Sequence, residues 1–227
     1  MKEDGTVWKG KNKALTFSYD DGCYEDKRLC ELLDRYMMKG TFNIIGSRLI
    51  KNERIPEGTK RLSIDDMREV YKNHEVAMHT YTHPHLTDLG PESIKYEVLA
   101  DRARIEESLG VEPVGLAYPM GAYNETVLDV LRECKVKYAR TNKSTYNFEL
   151  PTDLLQFSFT CRHRESRLME LAERFVKLEA DRPQLFCLMG HSYEFKTEED
   201  WAVIERFCEY MAGRDDIYYC TNAQALL

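Results

Sequence analysis

The sequence contains no apolar run that approaches the roughly twenty residues needed to span a bilayer. Its first residues, Met1–Trp8, lack the apolar core of a secretory signal peptide. No internal repeat, low-complexity segment or linker rich in proline, glycine and serine divides the 227 residues. A chain of this length fits one large α/β domain, so we expect a single domain over residues 1–227 with no membrane partner.

Paired cysteine spacing and an excess of positive charge are also missing. The seven cysteines are an odd number scattered along the chain, which is typical of reduced core residues rather than of a disulfide framework. Together with the missing signal peptide, this predicts a cytoplasmic protein, or a secreted one if a signal has been removed upstream. The formal net charge of −7 argues against nucleic acid as a partner. The sequence is silent on oligomeric state.

Short β-rich runs alternate with helical patterns along the chain. The seven expected strands are Lys13–Tyr19, Thr41–Ile45, Glu75–Met78, Val114–Tyr118, Tyr138–Arg140, Gln184–Met189 and Ile217–Cys220. The six expected helices are Asp26–Met38, Ser63–Lys72, Pro91–Leu109, Glu125–Cys134, Glu165–Glu179 and Glu198–Met211. Such alternation predicts a parallel α/β array. Polar residues at successive strand ends favour a (β/α) barrel with about seven parallel strands over an open doubly wound sheet.

Two of these strand ends carry residues that suit metal chemistry. His79 and His83, at i and i+4, have the spacing of divalent-metal ligands, although two unrelated histidines beside a turn would show it as well. Asp20 and Asp21 follow the first strand, where a plain acidic turn is the alternative. The strand ends of a parallel barrel converge on one face. Two imidazoles and one carboxylate can therefore share a catalytic metal site with open positions, and the second carboxylate can act as a general base.

Four segments resemble, in the same order, the motifs of the polysaccharide deacetylases, also called the NodB-homology or carbohydrate esterase 4 family. They are Ser18-Tyr-Asp-Asp-Gly22, His79-Thr-Tyr-Thr-His83, Tyr118-Pro-Met-Gly121 and Leu188-Met-Gly-His191. Together they span nearly the whole chain. The resemblance implies a distorted, NodB-like (β/α) barrel and a metal-dependent hydrolase of a non-peptide C–N bond. The implied reaction is de-N-acetylation of an amino-sugar or polysaccharide substrate.

The resemblance also implies roles for individual residues. A divalent metal ion, Zn²⁺ first and Co²⁺, Ni²⁺ or Fe²⁺ as alternatives, would be bound by Asp21, His79 and His83. Asp20 would be the general base that takes a proton from the attacking water, and His191 the general acid that protonates the departing amine. The backbone N–H of Met120 would stabilise the developing oxyanion.

Two positions depart from the family's pattern. Ala117 stands where the family has an arginine that holds the base aspartate, and we expect Arg140 on a later strand to replace it, a surface salt bridge being the plainer alternative. The family's fourth motif is absent, and His163 in the comparable region could orient His191 or simply line the pocket. These departures keep a second function open, an inactive carbohydrate-binding or regulatory protein on the same scaffold. A third is a hydrolase of a small non-sugar amide, which the resemblance allows and the missing signal peptide favours.

Overall fold

A computed structural model describes residues 7–55 and 60–227 of the chain. Within these residues, nine strands form one sheet, and every pairing between them is parallel. In chain order the strands are β1 (Lys13–Asp20), β2 (Gly40–Ile44), β3 (Glu75–Met78), β4 (Gly115–Ala117), β5 (Tyr138–Ser144), β6 (Phe157–Phe159), β7 (Cys161–Arg162), β8 (Gln184–Gly190) and β9 (Ile217–Tyr219). All seven expected strands are present, and β6 and β7 are additional.

The sheet is organised around β1, whose eight residues are all buried. Its neighbours follow the order β6-β5-β4-β3-β2-β1-β8-β7. β8 pairs with most of β1, while β9 pairs with its first three residues and β2 with its last four. Thr160 alone separates β6 from β7, so one segment of the chain stands at both ends of this order. Within the described residues no ladder joins β6 to β7, so the sheet is a distorted barrel that is not closed, and the expected fold class is confirmed.

Seven α-helices occur in the described part of the chain. They are α1 (Asp26–Arg35), α2 (Ile64–Val70), α3 (Pro91–Leu109), α4 (Glu125–Glu133), α5 (Leu168–Lys177), α6 (Glu198–Met211) and α7 (Asn222–Leu226). The first six match the expected helices to within about three residues at each end. Ser63, Thr197 and Thr221 each cap a helix reciprocally with the side chain three positions on, which fixes the starts of α2, α6 and α7. None of the described helices is long and apolar enough to cross a membrane.

The carboxyl ends of the strands carry the polar residues. The last residues of β1, β3 and β8 are followed directly by Asp21, His79 and His191. Buried side chains such as Leu15 and Phe186 fill the opposite half of these strands. Parallel pairing therefore delivers residues from distant parts of the sequence to one face of the barrel. The expectation of a single domain over residues 1–227 stays a prediction.

Candidate active site

Asp21, His79 and His83 form a compact cluster at the ends of β1 and β3. One ligand atom from each lies within 4.8 Å of the other two. The two Nε2 atoms of the histidines are 3.1 Å apart, and Asp21 Oδ1 is 4.0 Å from His79 Nε2 and 3.9 Å from His83 Nε2. Ligands of a tetrahedral zinc ion, each at about 2.0–2.1 Å, lie about 3.3 Å apart. The three side chains are therefore arranged closely enough to share one ion.

Unusual backbone conformations present these ligands. Asp21, Thr80 and His83 have positive φ angles of 80°, 63° and 63°, a region that residues with a side chain seldom adopt. Residues 79–83 accordingly form a turn and not a helix. Asp101 of α3 braces this turn, because its carboxylate accepts the backbone N–H groups of His79, at 2.9 Å, and Gly46, at 2.7 Å.

The surroundings keep the imidazoles in the form that binds metals. Burial lowers the pKa of His79 and of His83, so both rings are neutral near neutral pH. Nδ1 of His79 lies 2.8 Å from the carbonyl oxygen of Ala117, which assigns the ring proton to Nδ1 and leaves the Nε2 lone pair directed at the cluster. Metal-binding histidines are held by the same kind of contact.

The cluster fits a divalent metal ion. Asp21 Oδ1 is buried and accepts no hydrogen bond from any residue that the structure describes, and Arg48 Nη1 lies 3.5 Å away. A buried carboxylate oxygen without a donor is costly, and a cation between the three ligands would satisfy it. Two imidazoles and one carboxylate suit zinc and neighbouring transition metals.

The carboxylate of Asp20 lies near the Asp21–His79–His83 cluster and is held by Arg140. Nη2 of Arg140 lies 2.5 Å from both carboxylate oxygens, and Asn43 Nδ2 donates to Oδ1 at 2.9 Å. Burial by itself raises the pKa of Asp20, but the positive charge and hydrogen bonds of Arg140 outweigh it, and the pKa is lowered. Ala117 of β4 and Arg140 of β5 are partners in the ladder. The guanidinium thus enters the barrel from the strand next to the position where the family carries arginine.

A single cavity of about 390 Å³ brings all the expected residues together. Its lining includes Asp20, Asp21, His79, His83, Met120, Arg140 and His191. His191 Nε2 lies 3.8 Å from Asp20 Oδ2. Met120 has a left-handed backbone (φ 54°) in the turn after β4, beside the cavity. The residue set is therefore assembled as expected, while the individual catalytic roles stay predictions.

Glu194 is a site residue that the sequence analysis missed. Its Oε2 lies 3.1 Å from His163 Nε2 and 3.7 Å from His191 Nδ1, so one carboxylate stands between both histidines. The contact with His163 lowers the pKa of Glu194 to about 2. His163 is buried, and its Nδ1 lies 3.0 Å from the hydroxyl of Tyr19. His163 therefore reaches His191 only through Glu194. A carboxylate three residues after a strand-end histidine was the available signal.

Comparison with known proteins assigns the class of protein that this fold and site define. The model of the polysaccharide deacetylase family matches residues 9–139, and the chain therefore belongs to that family. Over 120 residues it is 26% identical to the peptidoglycan-N-acetylglucosamine deacetylase PgdA of Listeria monocytogenes. That match covers 52% of this chain but only 24% of the relative, so the chain spans about a quarter of that protein's length.

Solved structures share the fold. A candidate polysaccharide deacetylase from Mycobacterium smegmatis superimposes with a TM-score of 0.72 at 19% identity, covering 97% of this chain and 91% of that chain. A family 4 carbohydrate esterase pseudoenzyme from Bacillus anthracis superimposes with a TM-score of 0.60 at 16% identity, covering 95% and 66%. At these identities the likeness concerns the fold alone. The shared fold does not establish an activity, which must be inferred from the residues of the site.

Proposed function

We propose that this chain is a metal-dependent hydrolase that removes the N-acetyl group from an amino sugar within a glycan. One observation carries the proposal. The cavity at the barrel mouth is lined at once by a three-ligand cluster, a paired carboxylate and a separate histidine. Hydrolysis of an amide needs an activated water, a stabilised oxyanion and a protonated leaving nitrogen. Each of these needs has a candidate residue in this cavity.

The chemistry divides among the residues as follows. A divalent metal ion held by Asp21, His79 and His83 would supply Lewis acidity toward water and the acetyl carbonyl. Asp20 accepts a proton from the attacking water. Arg140 keeps Asp20 ionised and fixes its direction, since both carboxylate oxygens face the guanidinium.

The amine leaves on the side of the cavity that His191 lines. His191 donates a proton to the nitrogen as the C–N bond breaks, and Glu194 orients the ring by facing Nδ1. This leaves Nε2 directed at the cavity, on the side of Asp20. The N–H of Met120 stabilises charge on the carbonyl oxygen, as expected from the resemblance. The products are acetate and a free amino sugar.

An inactive carbohydrate-binding protein on the same scaffold is the second candidate. The pseudoenzyme with this fold and the missing fourth motif favour it. The placement of Arg140 and Glu194 opposes it, because a binding protein gains nothing from orienting a base and an acid. A hydrolase of a small non-sugar amide would use the same residues and differ only in substrate.

Acetate release separates these candidates. The metal-loaded protein is incubated with N-acetylglucosamine oligomers and with small acetamides. Asp20→Asn serves as the inactive variant, and Asp129→Asn, an exposed carboxylate on α4, is the matched control. We expect acetate from the oligomers with the wild type and Asp129→Asn, and at least a 100-fold loss with Asp20→Asn. No acetate from any substrate with any divalent ion would favour the binding protein, and acetate from small amides alone would favour the third function.

A further inference from the structure

The inward face of β1 carries polar side chains beneath the active site. Thr16, Ser18 and Asp20 alternate along the strand with residues of the large apolar core, and all three are buried. Successive side chains of a strand point to opposite faces, so these three share the face that looks into the barrel. The interior of a parallel barrel is usually filled by branched apolar side chains. Buried polar groups are costly unless they are paired, so their partners indicate what this interior does.

The hydroxyl of Ser18 joins this interior to the candidate base. Arg140 donates its Nε–H to Ser18 Oγ at 2.9 Å, while its Nη2 contacts both oxygens of Asp20. Because one nitrogen contacts both oxygens, the position of the guanidinium sets the direction of the carboxylate. Asn43 Nδ2 and Asn222 Nδ2 donate to the same Oγ, each at 3.1 Å. The side chain of Ser18, which alone would have three staggered rotamers, is thereby held in one.

Asn222 reaches Ser18 from the amino ends of the strands, the end of the barrel opposite the active site. It is the first residue of α7 and is fully buried. Its Oδ1 accepts a hydrogen bond from Thr16 Oγ1 at 2.9 Å, and its backbone N–H donates to Thr41 Oγ1 at 2.8 Å. Since Oδ1 is directed at the hydroxyl of Thr16, the amide has one orientation, in which Nδ2 faces Ser18.

Glu75, the first residue of β3, anchors α7 at this end of the sheet. Its Oε2 accepts from Thr41 Oγ1 at 2.8 Å and from the backbone N–H of Ala223 at 2.9 Å. Thr41 gives its own hydrogen to Glu75, so its oxygen can accept the N–H of Asn222. A continuous hydrogen-bonded path therefore runs from the amino end of the barrel to Asp20 at its mouth.

We propose that Asn222 is a positioning residue for the base, and that it acts on Asp20 through Ser18 and Arg140. Asn222 fixes the hydroxyl of Ser18, and this hydroxyl fixes the guanidinium that holds the carboxylate. A base works only when it is held close to its productive position, and side chains that lock one another supply this precision. Apolar packing would serve stability alone at least as well, since buried hydrogen bonds contribute little net free energy. This assignment rests on the proposed function for the role of Asp20.

Steady-state kinetics of acetate release test the path. Both kcat and KM of the metal-loaded protein are measured on N-acetylglucosamine oligomers for the wild type, Asn222→Ala, Ser18→Ala and the double variant. We expect Asn222→Ala to lower kcat about tenfold with KM unchanged. We expect no further loss when Asn222→Ala is added to Ser18→Ala, because two residues that act in series are not additive. Thr221→Ala removes the N-cap of α7 and keeps the Asn222 amide, so this matched control should lower the urea midpoint but not kcat.

Hydrogen exchange at Arg140 tests the path without turnover. The Nε–H signal of Arg140 is assigned with Arg140→Lys and followed by NMR in each variant. We expect its exchange to be at least tenfold faster in Asn222→Ala than in Thr221→Ala. If Asn222→Ala does not fold, Thr16→Val replaces it in both measurements, because it removes the hydroxyl that orients the Asn222 amide. The expected directions are the same.

An equal loss of kcat from Asn222→Ala with and without the Ser18 hydroxyl would overturn the assignment. A loss in Thr221→Ala as large as that in Asn222→Ala would overturn it as well. Wild-type kcat in Asn222→Ala, in a protein that releases acetate, contradicts the path and leaves the proposed function standing. Faster exchange at Arg140 in Asn222→Ala but not in Thr221→Ala, in a protein that releases no acetate, supports the path to the guanidinium and contradicts the proposed function.

Discussion

Arg140 and Asp20, 120 positions apart in the sequence, form the most buried ion pair of the described site. Nη2 of Arg140 contacts both oxygens of Asp20 at 2.5 Å, and Nε donates to Ser18 at 2.9 Å. Arg140 lies on β5, and its ladder partner on β4 is Ala117. The neighbouring strand supplies a charge that the family usually carries on β4, and Asp20 keeps a cationic partner.

Removal of this guanidinium should impair both stability and turnover. Arg140→Ala leaves Asp20 buried without its cation, and we expect a loss of about 3–5 kcal/mol in the free energy of unfolding. The pKa of Asp20 should rise in the variant, because the cation that most strongly opposes the effect of burial is then missing. The acidic limb of the pH profile of kcat/KM should therefore move to higher pH, with activity reduced at least 100-fold at neutral pH.

Arg140→Lys separates charge from geometry. Lysine restores a positive charge but lacks the Nε and Nη1 groups through which Arg140 donates to Ser18 and to the carbonyl oxygen of Thr141. We expect it to recover most of the stability and only part of the activity, as measured by urea unfolding and by acetate release. Wild-type turnover in Arg140→Ala would show that the guanidinium does not serve Asp20 in catalysis.

Glu194 should act on turnover through His191. In Glu194→Gln the carboxylate that faces Nδ1 is replaced by a neutral amide. Because Glu194 orients the ring that donates the proton, kcat should fall about tenfold with KM little changed. Glu194→Asp should restore part of the effect. A change in KM alone, with kcat unmoved, would indicate a structural role in holding His163.

Asp26 should contribute to the pH dependence of stability. Burial raises the pKa of Asp26 to about 7, and Tyr71 donates to its carboxylate at 2.7 Å. The folded state therefore keeps a proton that the unfolded state releases above about pH 4. This contribution to stability is fully present below pH 4 and is lost as the pH rises to about 7, at a cost of up to about 4 kcal/mol.

Asp26→Asn removes that titration. We expect the free energy of unfolding of the variant, relative to the wild type, to increase between pH 4 and pH 8. Urea unfolding at several pH values measures it, with Asp129→Asn as the exposed control. Parallel curves for Asp26→Asn and wild type would mean that Asp26 is already ionised in the folded state.

The alternation of strands and helices could be predicted from sequence because each predicted element carries its own periodic pattern or cap. β6 and β7 have three and two residues, too few for a pattern, and they exist because their neighbours β5 and β8 offer open edges. Helix α7 has only five residues and is also too short to be predicted from a periodic pattern. Its first residue, Asn222, donates its backbone N–H to Thr41 in β2, a contact that only the folded barrel provides.

The residues of the site also fall into those that the sequence predicts and those that it does not. Asp20, Asp21, His79 and His83 stand at strand ends in recognisable segments, so their convergence follows from a parallel barrel. Glu194 and Arg48 belong to short turns whose side-chain directions depend on tertiary packing. Glu194 shows in local spacing only as a carboxylate three residues after the strand-end His191, and nothing in local spacing marks the cation beside Asp21.

The metal content of the purified protein after dialysis against Zn²⁺ tests the candidate metal centre most directly. Asp21, His79 and His83 are the only cluster of metal-binding side chains identified among the described residues. We expect one zinc ion per wild-type chain, and less than a tenth of that in His83→Ala, with His85→Ala as the neighbouring control retaining the full amount. Equal zinc content in the wild type and His83→Ala, or none in either, would contradict the proposal that this cluster is a metal centre.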